Sequence, residues 1–118
     1  MPRSAWSGAA VVAVIVQLAV LYAPRAPQVD AGGVPIDKLV HALVFAVPVI
    51  ALVRAGLPRG WVVGVMASHA VLSELVQAAL LPGRSGDPGD VVADLVGVAI
   101  GVAVLAWAPG DARRTRPD

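Results

Sequence analysis

Cysteine is absent from these 118 residues, so neither a disulfide framework nor a thiolate metal site is available. Charge is scarce too: Asp, Glu, Lys and Arg make up 14% of the chain, against about 25% in an average soluble domain. Also missing are the phosphate-binding glycine loop, the dinucleotide fingerprint, the G-x-S-x-G elbow and the H-E-x-x-H zinc pair. Their absence removes the common soluble catalytic frameworks and leaves no cofactor to expect. The run holding Arg113, Arg114 and Arg116 is too short for a nucleic-acid module and reads as topology-setting charge near anionic lipid.

Apolar side chains fill the chain instead, at 58% of residues and a mean hydropathy of +0.78. A soluble protein this short cannot enclose that much apolar surface. The apolar residues fall into four stretches, about residues 6–23, 37–54, 61–81 and 90–108. At about 1.5 Å per residue, each is near the length needed to cross a hydrocarbon core of about 30 Å. The expected fold is all-α, a polytopic membrane protein forming one domain over residues 1–118, a compact bundle of four transmembrane helices with antiparallel neighbours.

The first stretch has the hydropathy of a signal peptide, but Pro24 after Ala23 and Pro27 after Ala26 spoil the nearest small-residue cleavage sites. A retained helix is expected. Pro48 lies near the middle of the second stretch, where its missing N–H should bend the helix and free a carbonyl that neighbouring protein or a small side chain must satisfy, as a packing kink or as a widened cavity beneath His41. Pro82–Gly83 and Pro109–Gly110 read as helix stops.

Basic residues set the orientation. With the N-terminus inside, the cytoplasmic side holds Arg3, Arg54, Arg59, Arg113, Arg114 and Arg116, and the outside holds Arg25, Lys38 and Arg84. This arrangement predicts cytoplasmic termini in a multi-pass protein of the cell membrane. It also places Trp6, Trp61 and Trp107 at the inner interface and Tyr22 at the outer one, as amphipathic anchors.

Threaded this way, the helices bring separate polar residues to one leaflet. His41 lies about 6 Å into the second helix, on the face of Asp37. Glu74 and Gln77 share a face of the third, about 10 Å and about 6 Å below its outer end. Asp94 lies one turn below Asp90 on the fourth. A charged group in the bilayer core costs about 2.5–3.5 kcal/mol, so these groups should converge on one hydrogen-bonded pocket, with Lys38 and Arg84 reaching it from the outer side.

Asp37 and Asp90 also suit helix starts, where a carboxylate meets free N–H groups. His69 reads as packing, and Asp30 and Asp87 as solvated loop residues. Ser73 adjoins Glu74 but points elsewhere, so no serine nucleophile is expected. The residues allow a hard divalent cation held by Glu74, Asp94 and Asp90 with His41 assisting, but no resident metal is expected. Gly97 and Gly101, continued by Ala93, form a small-residue face for close helix packing.

The same residues carry a family resemblance. D-K-L-V-H followed by Phe45, E-L-V-Q leading to L-P-G-R-S, and D-V-V-A-D-L-V-G followed by Gly101 resemble the VanZ-like proteins, named for a teicoplanin-resistance factor. The resemblance covers roughly residues 36–104 and puts Asp37, Lys38, His41, Phe45, Glu74, Gln77, Arg84, Asp90, Gly97 and Gly101 at motif positions. Asp94 departs from it, standing where the family usually has Asn. Membership would imply a role in the envelope or in glycopeptide tolerance, without supplying a reaction.

Three functions fit these residues. One is a factor binding a membrane lipid or lipid-linked envelope precursor through Asp37, Lys38, His41, Glu74, Gln77, Arg84, Asp90 and Asp94. Another is a membrane enzyme using Glu74 or His41, with Asp94 nearby, as acid and base. The third is a structural subunit that pairs with another membrane protein.

Overall fold

The computed structural model describes residues 1–23, 36–81 and 88–108. They form four helices: α1 (Arg3–Tyr22), α2 (Ile36–Arg54), α3 (Arg59–Leu80) and α4 (Pro88–Trp107). All four are long and apolar enough to span a bilayer, the build of a multi-pass membrane protein. No strand occurs among the described residues. Three helices start two or three residues earlier than the apolar runs suggest. For α4 the reason is Pro88, which needs no partner for an N–H in the first turn and has its φ set for a helix.

Local chemistry fixes the helix ends. Asp37 and Asp90 lie in the first turns of α2 and α4, and Arg54 lies in the last turn of α2, each matching the local sign of the helix dipole. The α2–α3 turn depends on Gly56, whose φ is +111°. The Gly56 N–H bonds the Val53 carbonyl and the Leu57 N–H bonds the Leu52 carbonyl, together a Schellman closure that needs a left-handed residue.

The bundle is apolar outside and polar within. Val12, Ile15, Leu43, Leu72, Leu75 and Val92 are exposed, whereas Gln17, His41, Ser73, Glu74, Gln77, Asp90 and Asp94 are buried. Apolar surfaces of this kind suit lipid contact, and helix cohesion must then come from close packing and internal hydrogen bonds.

α2 and α4 run parallel and supply the closest packing. Gly97 sits on the Ala42 backbone, and Gly101 sits against Val49 and the Ala46 carbonyl. Phe45, Val49, Val62, Met66 and Leu105 fill the core beside this contact. At the end away from Asp37, the Arg54 guanidinium donates to the Ala108 carbonyl and lies 5.8 Å from the Trp6 ring centroid. Those contacts tie α1, α2 and α4 together.

Pro48 is buried inside α2 and cannot donate to the carbonyl four residues earlier, that of Val44. Gln17 on α1 replaces the missing donor, its Nε2 lying 2.8 Å from the Val44 oxygen and 3.5 Å from the Met66 sulfur. The proline is therefore accommodated by packing. Gln17→Leu is expected to cost about 1–2 kcal/mol of bundle stability. In Pro48→Ala, where residue 48 regains its own N–H, the same change should cost much less. A double-mutant cycle measured by denaturation in bicelles checks this; equal costs in the two backgrounds would contradict it.

Candidate functional site

α2 and α4 each carry acids and partners spaced four apart, so their side chains stack on one face. Because the two helices run parallel, these faces meet in register. The Lys38 ammonium contacts Asp90 Oδ1. One turn deeper, His41 Nδ1 lies 2.7 Å from Asp94 Oδ1, so the ring N–H donates to the carboxylate. His41 Nε2 faces outward, 3.7 Å from Asp90 Oδ2 and 3.9 Å from Asp37 Oδ1. Gly97 lies just below, where the absence of a side chain lets α4 come near enough for these contacts.

Burial is graded through the cluster. The Asp37 side chain is 64% exposed and that of Lys38 36%, whereas His41 and Asp94 are almost wholly enclosed. The site opens at the ends of α2 and α4 and closes around the His41–Asp94 pair. Asp94 Oδ2 is buried and has no hydrogen-bond partner among the described residues.

Of the eight residues that the sequence groups in one pocket, Asp37, Lys38, His41, Glu74, Gln77, Arg84, Asp90 and Asp94, the structure brings Asp37, Lys38, His41, Asp90 and Asp94 within contact of one another. α3 contributes differently. Gln77 donates from Nε2 to the Leu21 carbonyl at 2.6 Å, closing one of the acceptors left free at the end of α1. Glu74 is buried one turn away on the same face. Among the described residues, the acids and histidine whose ligand atoms lie within 4.8 Å of one another are Asp37, His41 and Asp90. The set that the sequence allowed, Glu74, Asp94 and Asp90 with His41 assisting, shares His41 and Asp90 with this trio. Arg84 lies outside the described residues, as do Arg25, Asp30 and Asp87.

His69 forms a separate unit. Its Nε2 lies 2.9 Å from the Tyr22 hydroxyl, and its ring packs on those of Tyr22 and Phe45 with centroids 5.8 Å away. Tyr22 therefore points its hydroxyl into the bundle. The Ser73 hydroxyl is buried and donates to the Ala70 carbonyl.

Two residues escaped the sequence reading as site supports. Gln17 is a lone amide in an apolar run, and only the position of the carbonyl freed by Pro48 reveals its role. Gln77 reads as a pocket residue until the end of α1 is seen beside it. No protein family, curated protein or solved structure matches the chain.

Proposed function

We propose that this chain is a VanZ-like envelope factor of the cell membrane, with cytoplasmic termini, that binds an amphiphilic or lipid-linked ligand at the polar end of its bundle. The observation that carries this reading is the graded cluster of Asp37, Lys38, His41, Asp90 and Asp94, opening beside the exposed apolar side chains of Leu39, Leu43 and Val92. A headgroup would meet the charged mouth while its hydrocarbon lies along α2 and α4. The distribution of basic residues supports an outward-facing mouth. A contribution to glycopeptide tolerance would follow from sequestering or presenting such a ligand.

Binding of a lipid-linked cell-wall precursor to the protein in nanodiscs tests the reading. His41→Ala and Lys38→Ala should each weaken binding roughly tenfold, equivalent to about 1.4 kcal/mol. Unchanged binding in both variants, with the fold retained, would contradict it. Acid–base catalysis is the second reading, favoured by the Asp94 bond that orients the His41 imidazole. Turnover of that precursor, lost in His41→Ala while binding persists, would select it.

A further inference from the structure

We propose that Asp37, His41 and Asp90 form a binding site for a first-row divalent cation of the Zn²⁺ class. The proposal stands on these side chains and does not depend on the amphiphile-binding reading. His41 Nε2 lies 3.7 Å from Asp90 Oδ2 and 3.9 Å from Asp37 Oδ1, too far for a hydrogen bond to either. Those distances do suit an ion between the groups. Tetrahedral ligands about 2.0–2.2 Å from a zinc ion lie about 3.4 Å from one another, so the two edges from His41 Nε2 need close by only a few tenths of an ångström, while the edge between the two carboxylates lies within 4.8 Å.

The surroundings fit a metal-bound imidazole. His41 donates from Nδ1 to Asp94, which leaves Nε2 as the atom facing the two acids and fixes the plane of the ring. The carboxylate of Asp94 is fully buried, and its Oδ2 has no partner among the described residues. A cation across the imidazole would add positive charge beside this enclosed carboxylate. Asp37 is exposed, giving the ion a path from water and a coordination position for a water or ligand oxygen. The imidazole nitrogen favours zinc-like ions over Ca²⁺ or Mg²⁺, which prefer all-oxygen cages.

Lys38 gives the proposal a distinctive signature. Its ammonium contacts Asp90 Oδ1, so a cation on Oδ2 meets a like charge on the same carboxylate. Removing that charge should tighten metal binding, the opposite of what a merely structural ion pair would produce.

The experiment is Zn²⁺ titration of the untagged 118-residue chain in phosphatidylcholine nanodiscs, read by competition with a chelating dye. The chain has no cysteine and two histidines, so competing zinc ligands are few. One ion per chain is expected, with binding at least tenfold weaker in Asp37→Asn and lost in His41→Gln. Asp94→Asn should weaken it roughly 10–100-fold through the orientation of the imidazole. Lys38→Met should strengthen it, and excess Mg²⁺ or Ca²⁺ should not displace the zinc. Should His41→Gln not fold, Asp37→Asn still decides, since its exposed side chain lies at a helix start.

Absence of saturable Zn²⁺ binding, or equal affinity in the wild type and Asp37→Asn, overturns the proposal. Zinc binding by a protein that ignores the lipid-linked precursor upholds this inference and rejects the amphiphile reading. Precursor binding without zinc binding does the reverse.

Discussion

Gly97→Ala is expected to destabilise the bundle by about 3 kcal/mol, the upper part of the usual range for overpacking, and to reduce the folded protein recovered from membranes. An added Cβ would overlap the carbonyl of Ala42, and it would lie 2.9 Å from the Ala42 Cα. Backbone cannot move aside as a flexible side chain can. Relief requires α4 to shift away from α2, which also separates His41 from Asp94. Gly64→Ala in α3 is the matched control, because a Cβ there meets nothing within 4 Å. Unfolding in bicelles should show a large loss for Gly97→Ala and little change for Gly64→Ala. Equal effects would mean that glycine content, rather than contact with Ala42, governs stability.

Asp94→Leu should be at least as damaging, at about 3–5 kcal/mol, because it removes one partner of an enclosed polar pair. The loss comes from the group left behind. His41 is buried with its Nδ1 N–H aimed at Asp94 Oδ1, and leucine offers no acceptor. Asp94→Asn keeps a carbonyl oxygen in the same place and is expected to stay within about 1 kcal/mol of the original stability. Chemical denaturation of the two variants in the same bicelles checks the contrast. Similar losses in both would show that the charge, rather than the hydrogen bond, holds the pair.

Much of this architecture is written in the chain at short range. Apolar runs of membrane-spanning length mark the four helices, and Asp90 suits the first turn of α4. Spacing by four places Asp37 with His41 and Asp90 with Asp94. Because short loops make neighbouring helices antiparallel, α2 and α4 run the same way and these pairs meet at one end. The face of Gly97 and Gly101 is legible as a close contact, although only the structure shows that Ala42, Ala46 and Val49 lie against it.

What the sequence conceals is the rotation of each helix about its own axis. α3 turns Gln77 toward the free carbonyl of Leu21, while Asp37 on α2 completes the close trio with His41 and Asp90. Periodicity places Glu74 and Gln77 on one face, but it does not say which neighbour that face meets. Likewise Tyr22 reads as an interfacial anchor, yet its hydroxyl meets His69 within the bundle. Such pairings depend on tertiary packing among residues remote in the chain.

The bond between His41 and Asp94 joins α2 to α4 and holds the imidazole on which the proposed binding roles depend. Solid-state NMR of the protein in bilayers, with ¹⁵N in histidine and ¹³C in the aspartate carboxyl groups, measures it directly through nitrogen–carbon dipolar dephasing. Strong dephasing of His41 Nδ1, as a 2.7 Å nitrogen–oxygen contact requires, and its loss in Asp94→Ala, are the predicted results. A His41 Nδ1 signal that shows no dephasing in the unsubstituted protein would contradict the account.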